Sequence, residues 1–225
     1  MKRHSLLSYI GTSLLLVLFS SCSVRAPSSL VQLRPFEIES KENRRTEFDG
    51  LELLSAFELR SRHPQFGGIS GLSIGADGRL YAVSDRGYWL SAQMGHDSTG
   101  ALLNLLDWQI KPTLTPARTP TDGLLTDAEA LARAPDGSFL AGFEQKHRLW
   151  RFLPPPMTFD SPAQAITLSR DLAKAPRNGG LECDAVLPNG KIFTVAEELQ
   201  SKDGSFRGWL ISDDRAVELS YLPSA

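Results

Sequence analysis

Three hairpins of one design constrain this chain more than any other feature of its 225 residues. The first runs from Gly71 to Asp85 around Asp77-Gly78, the second from Glu129 to Glu144 around Asp136-Gly137, and the third from Glu182 to Glu197 around Asn189-Gly190. Each has an apolar run, a turn pair, a second apolar run and a closing carboxylate. Asp-Gly and Asn-Gly between such runs are strong hairpin signals, because the turn needs residues that tolerate positive φ. The turns lie 59 and then 53 residues apart, which leaves room for two more strands per unit. Those strands are expected at 88–93 and 102–110, at 147–152 and 165–168, and at 207–211 and 216–221.

Four short antiparallel strands in a repeat of about 50 residues are the signature of β-propeller blades. One such sheet cannot bury both its faces alone, so blades stack around an axis. The same turn spacing also permits a β-sandwich of twelve strands. The expected fold is all-β, with about three blades in a domain spanning 48–225. Three blades do not close a ring, and the chain reaches Leu222-Pro223-Ser224-Ala225 just after a fourth strand, so a C-terminally truncated propeller is expected. Residues 51–61 supply one strand ahead of the first blade.

The N-terminus sets the expected compartment. Lys2, Arg3 and His4 precede an apolar run from Leu6 to Phe19, interrupted by Ser8, Gly11, Thr12 and Ser13. That run falls short of the roughly 20 apolar residues that span a bilayer, and it fits the apolar region of a secretory signal. It ends in Leu18-Phe19-Ser20-Ser21-Cys22, which resembles a bacterial lipobox with Phe19 in place of the usual Leu. The resemblance implies a signal peptide over 1–21, lipidation of Cys22, and a chain exported to the cell envelope and held on a membrane by its lipid. An ordinary signal-peptidase site is the alternative; the best one, after Ala26, is followed by Pro27. Losing residues 1–21 removes two basic residues and moves the net charge from −2 to −4. A mildly acidic domain without a basic cluster carries no electrostatic footprint for nucleic acid. Lipidation of Cys22 leaves only Cys183, so no internal disulfide forms. Residues 22–47, rich in Ser, Pro and mixed charge, read as a flexible tether.

A family resemblance rests on Phe66-Gly67-Gly68-Ile69-Ser70-Gly71-Leu72, Ser84-Asp85-Arg86-Gly87 and Asp127-Ala128-Glu129-Ala130-Leu131. It continues through the stretch from Phe143 to Phe152 and through Asn178-Gly179-Gly180-Leu181-Glu182. These segments resemble, in order and spacing, the blade motifs of the phytase-like (esterase-like activity of phytase) family of exported bacterial proteins. The departures are the missing C-terminal blades and Asp184, which stands where the family usually has an apolar residue. The resemblance implies a propeller and the hydrolysis of phosphate or other esters; a shared fold alone does not carry a substrate.

Hairpin geometry makes the carboxylates candidates for chemistry. Two-residue turns would set Ser70 opposite Asp85, Glu129 opposite Glu144, and Glu182 opposite Glu197, about 4.5–5.5 Å apart at Cβ. A bulged Pro-Asp-Gly turn would shift that register by one. Each pair lies at the open end of its hairpin, so stacking the blades gathers them at one end of the axis. Two carboxylates about 5 Å apart repel by roughly 3 kcal/mol at an effective dielectric near 20, and something must offset this. Asp85, Glu129, Glu144, Glu182 and Glu197 would suit Ca²⁺, which takes six to eight oxygens in flexible geometry. The structural alternative gives Glu129 and Glu182 the backbone amides of neighbouring blades, or Arg86, as partners.

For a phosphoester, Glu129, Glu182 and Arg86 are the expected catalytic residues, with Arg86 as the charge clamp on phosphate. Ca²⁺ bridging the phosphate and activating a water would be the mechanism. Lys146, Arg148, Arg177 and Lys191 are further cations, of which Arg148 and Lys191 are expected on solvated strand faces. A non-catalytic binding propeller and a sugar-lactone hydrolase are the alternative functions. Gly68-Ile69-Ser70-Gly71-Leu72 lacks the Gly-x-Ser-x-Gly elbow of serine esterases, and Ser70 reads as a packing residue. His63, His96 and His147 lack zinc-like spacing and are expected at the surface. Cys183 reads as an inert buried thiol, and Trp89, Trp108, Trp150 and Trp209 as fillers between blades.

Overall fold

The computed structural model describes residues 30–36, 53–212 and 215–222. The expected signal segment 1–21 and Cys22 lie outside the described residues, as does the side chain of Cys183. Two strands, β1 (Gln32–Pro35) and β2 (Phe57–Arg60), pair as an antiparallel ribbon. Three four-stranded antiparallel sheets follow in chain order. The first holds β3 (Ile69–Ile74), β4 (Arg79–Ser84), β5 (Tyr88–His96) and β6 (Leu102–Pro112). The second holds β7 (Ala128–Arg133), β8 (Phe139–Phe143), β9 (Arg148–Phe152) and β10 (Gln164–Ile166). The third holds β11 (Leu181–Val186), β12 (Ile192–Gln200), β13 (Phe206–Ser212) and β14 (Arg215–Tyr221).

The ribbon corrects the reading of 22–47 as tether throughout. Val31 is buried to 1% exposure, and the Ser61 hydroxyl donates to the Leu30 carbonyl at 2.5 Å. The extra strand expected over 51–61 narrows to β2, whose partner is β1.

The three repeated hairpins form where expected, with one residue more in each loop. Gly75, Ala134 and Leu187 donate their N–H groups to the carbonyls of Arg79, Ser138 and Lys191 at 2.8–2.9 Å. The loops are therefore Ala76-Asp77-Gly78, Pro135-Asp136-Gly137 and Pro188-Asn189-Gly190. Their glycines take φ of 73°, 82° and 80°, which closes a three-residue loop with a left-handed final residue. The Asp77, Asp136 and Asn189 side chains each accept the N–H two residues on, at 3.0–3.2 Å, the local bonding that favours these residues in turns.

The second sheet is buried on both faces, and every residue of β8 is buried. Towards the first sheet, Phe139 and Phe143 pack with Tyr81, Trp89, Trp150 and Phe152. Towards the third, Leu140 and Leu149 pack with Leu181, Ile192, Trp209 and Ile211. Strand β7 runs beside β3 on one side and β11 on the other. The approach of β3 to β7 is close enough that a Cβ on Gly71 would lie 2.8 Å from the Leu131 backbone nitrogen. A middle layer covered on both sides sets aside a two-sheet sandwich. The architecture is all-β, three four-stranded sheets stacked in chain order, and among the described residues they do not close on themselves. No helix among the described residues is long and apolar enough to cross a membrane.

Trp89, Trp150 and Trp209 fill the spaces between sheets as expected. Trp108 does not. It is half-buried, packs edge-on against Phe66 with ring centres 6.1 Å apart, and donates to the Leu105 carbonyl.

Candidate functional site

One irregularity recurs at the open end of each hairpin. The register shifts between Ile69 and Gly71, between Ala128 and Ala130, and between Leu181 and Cys183. The residues skipped are Ser70, Glu129 and Glu182. A bulge leaves its extra residue unpaired and re-aims its side chain. The longer loop and the bulge together revise the expected pairing. Asp85, Glu144 and Glu197 donate their N–H groups to the carbonyls of Gly68, Asp127 and Gly180 at 2.8–2.9 Å. Glu144 therefore stands opposite Asp127, and Glu129 sits on the bulge beside them.

These strand ends bring carboxylates from neighbouring sheets together. Asp127, Glu129 and Glu144 form one group, and Glu144, Glu182 and Glu197 a second. Within each group, one carboxylate oxygen per residue lies within 4.8 Å of the others. Glu144 belongs to both. It is only 5% exposed, and its Oε1 accepts the Gly180 N–H from the third sheet at 2.5 Å. Asp85 stands outside both groups but within electrostatic range of Glu129. Its Oδ1 is sealed without a hydrogen-bond partner, 4.0 Å from Arg86 Nε. Gly68, at φ 61°, leaves room for it, since a Cβ there would overlap the Asp85 carboxylate.

Crowding raises the acids. Burial first, then the charges of Glu182, Asp127, Glu144 and Asp85, push the Glu129 carboxyl up to about 7. Burial first, then Glu144, Glu197 and Asp127, raise Glu182. Glu144 is also raised, chiefly by burial, although the Gly180 N–H works against the shift. An all-oxygen donor set from several strands fits a hard cation that takes many oxygens. The two groups could hold a metal ion.

The cations divide differently from expectation. Arg86 is exposed and donates to the Phe66 carbonyl at 3.3 Å. Arg148 is not on a solvated face. Its guanidinium lies 4.0 Å from the centre of the Phe143 ring and 4.5 Å from that of Trp150, and it donates to the carbonyls of Leu125 and Lys146. Burial lowers it to about 10. Lys191 follows the third hairpin loop, at the far end of its strand from the carboxylates. Ser70 ties β3 to the second sheet, donating to the Ala128 carbonyl.

His147 also departs from its expected surface position: its Nδ1 is sealed against Gly180 without a partner. His96 is exposed, and His63 accepts a long hydrogen bond from the Gln65 N–H at 3.4 Å.

Asp127 is a site residue that two-residue turns do not single out; the three-residue loop and the bulge at Glu129 together set it opposite Glu144. Asp184 forms a separate feature. It stands opposite Thr194, which stands opposite Trp209. Burial pushes the Asp184 carboxyl up to about 6, with Thr194 opposite it working against the shift, and Trp209 Nε1 is sealed without a hydrogen-bond partner.

Stacked four-stranded sheets with gathered carboxylates define an all-β protein of repeated sheets carrying an acidic, metal-competent site. The chain belongs to the phytase-like family, described as esterase-like activity of phytase, which matches residues 64–219. Among curated proteins, none matches. Among solved structures, the chain is similar to virginiamycin B lyase from Staphylococcus aureus at 16% identity and TM-score 0.42, covering 70% of this chain and 42% of that one. It is similar to a luciferin-regenerating enzyme at 14% identity and TM-score 0.40, covering 66% of this chain and 44% of that one. The chain thus spans about two-fifths of the length of those two structures.

Proposed function

We propose that this chain is part of a β-propeller and acts as a Ca²⁺-dependent ester hydrolase, with phosphoesters as the first substrate class. The observation that carries this reading is Glu129. It lies on a bulge among carboxylates of three sheets and is pushed up to about 7. A carboxyl raised chiefly by burial suits proton transfer, and its neighbours supply oxygens for a cation. Bound there, Ca²⁺ would offset the carboxylate repulsion and polarise a phosphoryl oxygen. Asp127, Glu144, Glu182 and Glu197 would hold it; Glu129 would move the proton. Arg86, exposed beside Asp85, would meet substrate charge.

The test is hydrolysis of p-nitrophenyl phosphate and p-nitrophenyl acetate by the full-length protein, in Ca²⁺ and in EDTA. Activity that needs Ca²⁺ and disappears in Glu129→Gln and Glu182→Gln, with a cooperative melt retained, supports the reading. Equal activity in both variants would overturn the assignment.

A second reading, a non-catalytic binding propeller, is favoured by the Glu144 hydrogen bond to Gly180, which makes one of these acids a tie between sheets. Ca²⁺ binding without hydrolysis of either ester would select it. We also propose export and lipid anchoring through Cys22. Incorporation of labelled palmitate, lost in Cys22→Ser, tests this.

A further inference from the structure

Beside the carboxylates, a short loop is pinned between the second and third sheets. The Gln145 N–H donates to the Arg177 carbonyl at 2.9 Å, and the Glu198 N–H to the Gly179 carbonyl at 3.2 Å. Gly180 closes the loop with its bonds to Glu144 and Glu197. Gln145 itself holds φ of 56°, an uncommon conformation for a residue with a side chain. Its Nε2 donates to Asn178 Oδ1 at 2.6 Å. Strain of this kind persists where the surroundings over-determine it, often at ligand sites.

Gln145, Pro176, Arg177, Asn178 and Glu198 line an open pocket of about 530 Å³. A second pocket of about 420 Å³ shares Gln145 and is lined further by Lys146 and His147. Arg177 and Lys146 are exposed, and no side-chain ion pair or hydrogen bond engages either among the described residues. Of the other cations at this end, Arg148 is committed to aromatic rings and carbonyls, and Arg86 lies on the first sheet, exposed beside Asp85. Glu198, also on the pocket wall, would repel an anion, so Arg177 has to outweigh it.

We propose that Arg177, seconded by Lys146 from the pocket across Gln145, is a specificity-determining cation that receives an anionic group of the substrate. The group is one with oxygens a guanidinium fork can accept, either a tetrahedral oxyanion or a carboxylate. The inference rests on the carboxylates being the reaction centre. It adds a subsite on the side of Glu144 and Glu197, away from Arg86.

The test is isothermal titration of full-length protein, in 1 mM Ca²⁺, with sulfate and separately with acetate. No hydrolysis is involved, so loss of the subsite and loss of the catalytic reading are distinguishable. Whichever anion binds names the group. Its affinity should fall about tenfold or more in Arg177→Ala, as expected for losing a charge-assisted hydrogen bond. It should fall less in Lys146→Ala, be partly retained in Arg177→Lys, and be unchanged in Lys191→Ala at the far end. Binding that survives the Arg177→Ala, Lys146→Ala double variant would overturn the proposal. So would failure of wild type to bind either anion at millimolar concentration.

Discussion

Glu144, just past the end of β8, accepts the Gly180 N–H just before β11 at 2.5 Å. The same side chain belongs to both carboxylate groups. One acid thus joins two sheets and faces the candidate metal site.

Its two roles separate by substitution. In Glu144→Ala the buried Gly180 N–H loses its acceptor, at a cost of about 1–3 kcal/mol. That corresponds to a melting temperature lower by roughly 3–10 °C for a chain of this size. Glu144→Gln keeps an acceptor oxygen and removes a charge, so it should melt close to wild type while losing its response to Ca²⁺. Equal destabilisation by Ala and Gln would show that the hydrogen bond is not what Glu144 contributes.

The crowded acids give a pH dependence with a definite sign. Glu129 is raised from 4.5 to about 7 in the folded chain. Between those values the folded state holds a proton that the unfolded state releases, so stability falls as pH rises. Its contribution is intact below 4.5 and lost as pH passes through about 7. Cation binding needs ionised ligands, and Glu144 and Glu182 are raised too, so it should strengthen as pH rises. Melting in EDTA should therefore drop between pH 5 and 8, while the increment added by Ca²⁺ grows. Glu129→Gln should flatten the EDTA slope; a slope that persists in that variant belongs to other groups.

Calcium itself should be visible in the melt. At a hundredfold excess over Kd, one site adds about 2.7 kcal/mol, or roughly 5–10 °C for a domain of this size. Mg²⁺, which demands tighter octahedral geometry, should add less. A cooperative melt indifferent to both ions would remove the metal from the carboxylates.

Asp184 offers a stabilising change. Its carboxyl, raised to about 6 by burial against the opposing effect of Thr194, is sealed between the second and third sheets. Above that pH the folded state must bury a charge. Asp184→Asn removes the charge at nearly constant shape and should stabilise by about 1–3 kcal/mol at pH 8. The gain should fade by about pH 3, below the unfolded value of 3.8, where the acid is neutral in both states. Melting curves at the two pH values decide it; equal effects at both would assign the change to packing.

Two glycines separate backbone freedom from close approach. A Cβ at Gly78 meets nothing within 4 Å, so Gly78→Ala carries only the strain of φ 73°, about 1–2 kcal/mol. Gly71→Ala would set a methyl 2.8 Å from the Leu131 nitrogen of the next sheet. It should destabilise more, by about 3 kcal/mol as overpacking between rigid backbones. Denaturant midpoints of the two variants, measured side by side, test the order.

Local chemistry sets the hairpins, the four-strand units and the end of each hairpin at which the acids lie. Asp77-Gly78, Asp136-Gly137 and Asn189-Gly190 act locally, through one left-handed glycine and one side-chain acceptor. Such signals need no distant partner to be read. The tertiary structure alone decided the rest. It lengthened each loop by a residue and bulged each inner strand, which set Asp127 opposite Glu144 and re-aimed Glu129 and Glu182. It laid Arg148 against Phe143 and Trp150, and joined β1 to β2. It also placed Gly180 under Glu144 and Asp184 against Gly142. Those contacts join residues distant in the chain or in different sheets. Their energies come from how whole sheet faces fit together, and turn chemistry and strand alternation carry no record of that fit.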